Sequence, residues 1–220
     1  MTAPLHADDL YRFYHAGDDE TLALRGVSLA LEQGEVVAVS GPSGSGKSTL
    51  LACLAGLDEP DGGIVYVGSE RLSRRPEEER ADVRARQIGM LFQEENLIGH
   101  LTIGQNIRVV QRLRSRRGGA ERTELLGSVG IGSKANALPR HLSGGELARA
   151  GLAVAIANAP AVILADEPTG ELDDETSARI IDLLRDRAKD GAAVLLVTHD
   201  PAVASKADRE LRMRDGELEA

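Results

Sequence analysis

The chain has 220 residues, of which 42% are hydrophobic and 28% are charged, and its formal net charge at pH 7 is −9. This balance is that of a globular protein rather than a disordered one. An acidic chain also lacks the basic footprint needed to bind nucleic acid through its phosphates, so we predict no nucleic-acid partner.

Targeting signals are not evident in the sequence. The N-terminal stretch "MTAPLHADDLYRFYH" has no basic start followed by an apolar core, which argues against a signal peptide. No apolar run approaches the ~18 residues of a membrane helix. The single cysteine, Cys53, fits a reducing compartment. We therefore expect a cytoplasmic protein without direct membrane insertion, which would contact a membrane only through a partner.

The first predicted elements are strands around a glycine-rich loop. Two apolar stretches, "VSLAL" and "VVAVS", flank the turn "EQGE" and are interpreted as a strand pair. The second runs into "GPSGSGKST", and "KSTLLACLAGL" follows with helical spacing. Further along, "GGIVYVGSERL" alternates like an outer strand, "PEEERADVRAR" has a favourable helix start, and "IGMLF" predicts a short buried strand.

The glycine-rich loop satisfies the phosphate-loop pattern and stands between a predicted strand and a predicted helix. Its glycines let backbone N–H groups point at phosphates, the Lys47 ammonium can reach the β- and γ-phosphates, and the Ser48 hydroxyl can ligate Mg²⁺. A flexible Gly/Ser turn is the alternative, which the flanking elements disfavour. We predict a nucleoside triphosphate site formed by Gly41, Pro42, Ser43, Gly44, Ser45, Gly46, Lys47, Ser48 and Thr49.

Helical patterns replace strand patterns after the segment "LFQEENL". Gln93 lies there, and its amide oxygen can ligate Mg²⁺ or a bound water, although a surface polar residue fits the pattern equally well. We predict a helical subdomain at residues 94–160, inserted into an α/β core formed by residues 1–93 and 161–220 of a single domain. Six arginines between Arg108 and Arg122 are interpreted as a solvated face or as a surface for an acidic partner or lipid.

Inside this helical region, "LSGGELARA" places Ser143, Gly144 and Gly145 directly before a predicted helix. Exposed N–H groups at a helix N-terminus, together with the helix dipole, suit a phosphate. An ordinary serine N-cap followed by flexible glycines is the alternative. The sequence thus contains a second candidate anion-binding segment, about a hundred residues from the first.

Two continuous apolar runs near the C-terminus, "AVILA" and "AAVLLVT", are typical of parallel strands covered on both faces. The first run delivers Asp166 and Glu167, which are suited to hold a Mg²⁺ hydration shell and to orient an attacking water, respectively. A solvated acidic turn is the alternative. His199 ends the second run, where parallel sheets place their sites, and is interpreted as a γ-phosphate contact rather than a structural histidine.

Together these segments resemble the ATP-binding subunit of an ABC transporter. "GPSGSGKST" resembles the Walker A motif, "FQ" the Q-loop, "LSGGE" the ABC signature, "ILADEP" Walker B, "GELD" the D-loop and "THD" the H-loop. The order and spacing are those of the family along essentially the whole chain. "GLDEPDGG", "LADEPTGELD" and the closing segment look most like the subfamily of lipoprotein release, macrolide export and the cell-division ATPase.

The resemblance implies a P-loop NTPase core with a mostly parallel sheet, helices on both faces, an N-terminal antiparallel part and an inserted helical subdomain. It implies an ATPase with ATP and Mg²⁺, in which two subunits stack head to tail. The residues implied to contact the nucleotide of the opposite subunit are Ser143, Gly144, Gly145, Glu146 and Asp173. The resemblance implies Mg²⁺ ligation by Ser48, Gln93 and Asp166, and catalysis by Glu167, His199 and Lys47.

Tyr14 stands at the position of the family's aromatic A-loop residue, which implies that its ring stacks on adenine; a core or edge-strand tyrosine is the alternative. The implied function is to drive a separate integral membrane permease, of export or lipoprotein-release type, from the inner face of the membrane. Two alternatives remain open: a mechanical or signalling ATPase that moves no solute, and a soluble ABC ATPase of DNA repair or translation.

Leu147, Ala148 and Val154 depart from the polar and basic residues usual after the signature.

Overall fold

The structure is a computed structural model and describes residues 3–16, 19–93, 96–114, 121–170 and 172–219. In chain order these residues form the strands β1 (Leu5–Ala16), β2 (Asp19–Leu31), β3 (Val36–Ser40), β4 (Gly62–Val67), β5 (Glu70–Arg71), β6 (Ile88–Leu91), β7 (Val162–Asp166), β8 (Ala193–Thr198), β9 (Arg209–Arg214) and β10 (Glu217–Glu219). The α-helices are α1 (Lys47–Leu54), α2 (Glu77–Gln87), α3 (Ile103–Leu113), α4 (Arg122–Ser128), α5 (Gly144–Ala155), α6 (Asp174–Lys189) and α7 (Pro201–Ala204).

The strands form two sheets. The N-terminal sheet is antiparallel, with the order β2-β1-β4-β5. The larger sheet has the order β10-β9-β3-β8-β7-β6, in which β9 to β6 are parallel and β10 is antiparallel to its neighbour β9. This confirms the predicted α/β class with an antiparallel N-terminal part.

The interpretation of "VSLAL" and "VVAVS" as a strand pair is wrong. Both segments are strands, but the first belongs to β2, which pairs with β1, whereas the second is β3, which pairs in parallel with β8 and β9. The turn between them carries the chain from one sheet to the other. It does so through a left-handed Gly34 (φ 81°), whose N–H donates to the carbonyl oxygen of Ala192 just before β8.

The parallel strands are apolar throughout because each of their faces meets a different core. Val37 and Val39 of β3 pack in one core with Leu50 of α1 and with the N-terminal sheet. Val36 and Ala38 pack in a second core with residues of α3, α5 and α6. Every residue of β8 is buried, in agreement with the prediction of a strand covered on both faces.

The described residues between β6 and β7 contain helices and no strand. Capping boxes begin α3, between Thr102 and Gln105, and α5, between Ser143 and Glu146. Of the predicted arginine-rich surface, residues 115–120 lie outside the described part of the chain, and residues 94 and 95 at the predicted subdomain boundary do as well. The division into core and helical subdomain stays a prediction.

Candidate functional site

The glycine-rich loop connects β3 to α1 and is pressed between two strands. A Cβ added to Gly46, which has φ 103° and precedes α1, would lie 2.4 Å from the carbonyl oxygen of Ala23 in β2. A Cβ on Gly41 would lie 2.1 Å from the carbonyl oxygen of Met213 in β9. Glycine is therefore required at both ends of the loop by close backbone approach as well as by conformation.

Lys47 closes this loop on itself. Its ammonium is almost buried and donates to the carbonyl oxygens of Gly41 and Pro42, each at 2.8 Å. Inside the loop, the positive charge of Lys47 is therefore stabilised by two carbonyl oxygens. A phosphate that took the place of these carbonyls would form a charge-assisted hydrogen bond with the Lys47 ammonium.

The acidic residues predicted after β7 lie at the carboxyl edge of the parallel sheet. Glu167 adopts a left-handed backbone (φ 45°), and its N–H donates to the carbonyl oxygen of Val197 in the neighbouring strand at 2.9 Å. Its Oε1 lies 2.7 Å from Nδ1 of His199, which follows β8. Glu167 is mostly buried, whereas the His199 side chain is 70% exposed. This strained turn therefore holds a carboxylate–imidazole pair beside the loop.

Asp166 is half-buried at the end of β7. Burial raises its pKa, a hydrogen bond from the Ser48 side chain opposes this rise, and the neighbouring charge of Glu167 adds to it. A bound cation would stabilise the ionised form of this carboxylate, which burial disfavours. Asp166 and Ser48 thus present two oxygen atoms side by side.

Most of the predicted site residues line one cavity of about 620 Å³. They come from the N-terminal sheet, the glycine-rich loop, the end of β6 and the ends of β7 and β8, and they are Tyr14, Ser43, Gly44, Gly46, Lys47, Ser48, Thr49, Gln93, Asp166, Glu167 and His199. Gly41 and Pro42 instead face a neighbouring opening that they share with His199. Ser45 is buried beneath the loop.

The oxygen atoms in this cavity fit Mg²⁺. Ser48, Gln93 and Asp166 supply a hydroxyl, an amide and a carboxylate, and Mg²⁺ is usually held by one or two carboxylates together with phosphates and water. No group of three or more His, Cys, Asp or Glu side chains placed to hold a metal occurs in the described residues. The set therefore suits a cation that arrives with a phosphate ligand.

Ser143, Gly144 and Gly145 are not part of this cavity. They line a separate opening of about 380 Å³ together with Asp173. Ser143 Oγ accepts the N–H of Glu146, and Glu146 Oε2 accepts the N–H of Ser143 at 3.0 Å. Lys134 pairs with the other carboxylate oxygen of Glu146 at 2.9 Å, and this hydrogen bond lowers the pKa of Glu146. Within one chain, the two candidate anion-binding segments stay apart.

Asp173 is the N-cap of α6. Its carboxylate accepts the N–H of Thr176 at 2.9 Å and the hydroxyl of the same residue at 2.8 Å. Thr176 also contacts the start of α5, because a Cβ on Gly145 would lie 2.7 Å from its Cγ2. The N-termini of α5 and α6 are therefore in direct contact.

Sequence reasoning missed Arg12 and Asp58, which surround Tyr14. The Tyr14 hydroxyl donates to Asp58 Oδ2 at 2.8 Å, and the Arg12 guanidinium lies 4.8 Å from the centre of the Tyr14 ring. Burial raises the pKa of Tyr14. Tyr14 and Asp58 are 44 positions apart in sequence, and although Asp58 lies in the segment "GLDEPDGG", the motifs assigned no role to it or to Arg12.

The three residues that depart from the relatives' signature helix have separate environments. Ala148 and Val154 pack against the core formed with α3 and α6. Leu147 is 40% exposed. Two of the three side chains thus contribute to packing, and the third is an apolar side chain at the surface.

Comparison with known proteins identifies a family. A family model described as "ABC transporter" matches residues 24–170. An uncharacterized ABC transporter ATP-binding protein of Methanocaldococcus jannaschii is 38% identical over 217 residues, which cover 97% of each chain. The macrolide export ATP-binding/permease protein MacB of Shigella flexneri is 38% identical over 99% of this chain, which spans 34% of the length of MacB.

Solved structures agree with these relatives. The ATP-binding cassette MJ0796, described as a bacterial ABC transporter cassette and solved as a dimer, superposes with a TM-score of 0.90 at 36% identity, with coverage of 98% of this chain and 97% of that one. A second structure of the same cassette, with the same similarity, is a dimeric post-hydrolysis state bound to ADP and Pi. No helix in the described residues is long and apolar enough to span a bilayer.

Proposed function

The chain belongs to the ABC transporter family as an ATP-binding cassette and is an ATPase, and on this premise we propose that it is the energy-coupling subunit of a transporter. In this proposal two copies dimerise around two ATP molecules and drive a separate membrane permease of export or lipoprotein-release type. The subunit lies at the cytoplasmic face of the membrane, held there by the permease.

One observation carries the proposal: a paired carboxylate and imidazole face the glycine-rich loop across a single cavity. Glu167 Oε1 and His199 Nδ1 lie 2.7 Å apart, and Lys47 and Ser48 line the same cavity. In this arrangement the Glu167 carboxylate is a proton acceptor close to the expected position of the γ-phosphate. General bases of this kind contribute about 10²–10⁴-fold to rate.

ATP binds with its phosphates along residues 41–49. Lys47 exchanges its two backbone carbonyls for phosphate oxygens. Ser48, Gln93 and Asp166 would hold Mg²⁺, which when bound offsets the negative charge of the phosphates. Glu167 orients a water molecule and takes its proton, while His199 fixes the Glu167 carboxylate and contacts the γ-phosphate.

The second half of the site comes from another copy. Ser143, Gly144 and Gly145 form an N-terminal helix end that lines an opening separate from the cavity of their own chain. A helix N-terminus of this kind stabilises anions. Dimer closure would place these residues, with Glu146 and Asp173 beside them, on the γ-phosphate bound by the partner. The dimeric MJ0796 cassette supports this arrangement.

The reaction is tested by Glu167→Gln, which keeps the shape of the side chain and removes the base. We expect ATP hydrolysis to fall at least about 10²-fold, while ATP still binds and a stable ATP-bound dimer accumulates in size-exclusion chromatography. Glu78→Gln, on the exposed face of α2, is the matched control and should behave as wild type. Hydrolysis by Glu167→Gln at the wild-type rate would show that Glu167 is not the base.

The permease is tested separately. The name of the MacB relative, in which a cassette and a permease are joined, supports an export-type partner. Co-expression with any membrane protein encoded beside this gene should give a complex that co-purifies in detergent and hydrolyses ATP at a changed rate. If the neighbouring genes encode no membrane protein and the ATPase stays away from membranes, the coupling role is wrong. A partner that stimulates ATPase without moving solute would indicate the mechanical alternative.

A further inference from the structure

The base-binding end of the site, as proposed above, is organised by two residues to which the motifs assign no role. We infer that Arg12 and Asp58 are positioning residues that hold the Tyr14 ring as a one-sided platform for the purine base, with the guanidinium covering the ring face turned away from the nucleotide. This inference rests on the proposed function, because it concerns the same ATP site.

Asp58 holds both the Tyr14 hydroxyl and the Arg12 guanidinium. Oδ2 of Asp58 accepts the Tyr14 hydroxyl at 2.8 Å. The same carboxylate receives a two-pronged contact from Arg12, with Nε to Oδ2 and Nη2 to Oδ1 each at 2.9 Å. Paired contacts of this kind restrict orientation as well as distance. One carboxylate therefore sets the positions of both the ring and the guanidinium.

Asp61 extends this contact to the backbone of β1. Its Oδ2 accepts the Arg12 Nη1 at 3.0 Å and the N–H of Phe13 at 2.8 Å, and its own N–H donates to the carbonyl oxygen of Tyr11 at 2.9 Å. The loop at residues 58–61 is thus joined to β1 on both sides of Arg12. The ring is held by a network and not by a single bond.

The two faces of the ring differ. The Arg12 guanidinium carbon lies 4.8 Å from the ring centre, which is within the range of a cation–π contact. Tyr14 lines the nucleotide cavity and is 40% exposed, whereas Arg12 is not part of that cavity's lining and its side chain is 21% exposed. The open ring face is therefore the one toward the cavity, where a flat base can stack.

The network also connects the base end of the site to its phosphate end. α1 begins at Lys47 in the glycine-rich loop and ends at Leu54, four residues before Asp58. Thr49, in the first turn of the same helix, lines the cavity together with Tyr14. α1 therefore joins the glycine-rich loop to the segment that holds Asp58.

The test separates base recognition from phosphate binding. Binding of ATP is measured by calorimetry, and inorganic tripolyphosphate, which has no base, is measured by its displacement of ATP. For Arg12→Ala and Asp58→Asn we expect ATP affinity to fall roughly threefold to tenfold, with tripolyphosphate affinity within about twofold of wild type. Arg12→Lys keeps the positive charge but cannot make the two-pronged contact, so its ATP affinity should lie between those of wild type and Arg12→Ala.

The control is Arg86→Ala, because Arg86 also makes a two-bond contact with one carboxylate, from Nη1 and Nη2 to the two oxygens of Glu70, each at 3.0 Å, and neither residue lines the cavity. It should change neither affinity. Unchanged ATP affinity in Arg12→Ala and Asp58→Asn overturns the inference, as does an equal loss for ATP and tripolyphosphate, which would make the network part of the phosphate loop. A wild-type chain that binds no ATP overturns the proposed function first, and the inference with it.

Discussion

Single residues decide the chemistry proposed for this cassette, and the pair of Glu167 and His199 is the clearest case. The left-handed backbone of Glu167 aims its carboxylate at His199, at 2.7 Å. His199→Ala removes the group that fixes this carboxylate without touching the phosphate loop. We expect kcat to fall about 10²-fold or more and ATP affinity to stay within about twofold. Steady-state kinetics and calorimetry check this, and a large loss of affinity at unchanged kcat would contradict it.

Asp58 provides a prediction about pH and stability. Burial would raise its pKa, but hydrogen bonds from Tyr14 and Arg12 outweigh burial and hold the pKa below its ordinary value. A lowered pKa in the folded state means that the carboxylate stabilises the fold above its unfolded pKa of about 4, and that this stability is lost as the pH falls through the folded value.

Asp58→Asn should therefore lower the free energy of unfolding by on the order of 1 kcal/mol at neutral pH. The difference from wild type should shrink below about pH 4. Urea denaturation at a series of pH values measures it. A difference that grows on acidification would mean that the network does not stabilise the charged form of Asp58.

At the residue scale, the motifs identified residues that line one cavity, whereas contacts between distant residues were not predicted; the roles of the motif residues stay predictions. The phosphate-loop residues, Asp166, Glu167 and His199 were predicted because each follows an apolar strand, and parallel strands end at the same edge. Arg12 and Asp58 were not, since their contact depends on how β1 folds onto the loop after α1. Asp173 was predicted as an interface residue, and the structure adds that it caps α6.

At the scale of secondary-structure elements, the contact between α5 and α6 leaves no room for a larger side chain at Gly145. Gly145, in the first turn of α5, lies against Thr176 of α6, whose hydroxyl donates to Asp173. Gly145→Ala would place a Cβ 2.7 Å from Thr176 Cγ2. Overpacking of this kind costs about 1–3 kcal/mol in unfolding free energy.

The companion change Thr176→Ser removes this methyl group and keeps the hydroxyl that Asp173 accepts. We expect the double variant to recover most of the stability that Gly145→Ala loses. Thermal unfolding of the two single variants and the double variant measures the coupling. Additive losses would show that the contact does not link the two helices.

Strand prediction succeeded for strands that are buried on both faces and failed for strands that carry charged residues. The runs that became β7 and β8 are continuously apolar and were predicted as parallel strands. β1 and the pair β9–β10 were not predicted, because "LHADDLYRFYHA" and "RELRMR" carry charges on their exposed faces. The pairing of β3 was predicted wrongly, since a short glycine turn permits either a hairpin or a change of sheet.

At the scale of the whole molecule, the two candidate anion-binding segments of one chain lie in two separate openings. The cavity with Lys47 and Glu167 and the opening with Ser143 and Asp173 are lined by separate sets of residues. A homologous cassette is a dimer. We propose that the two openings come together between two copies, so that each ATP is held by Lys47 of one chain and Ser143 of the other.

Mixing two inactive variants tests this claim most directly. Lys47→Ala removes the phosphate-loop cation, and Ser143→Arg blocks the second half-site; each alone should abolish ATPase activity. A mixed dimer has one site with both defects and one site with neither. Random pairing then predicts recovery to about a quarter of the wild-type rate. A mixture that stays as inactive as either variant alone would contradict a site shared between two chains.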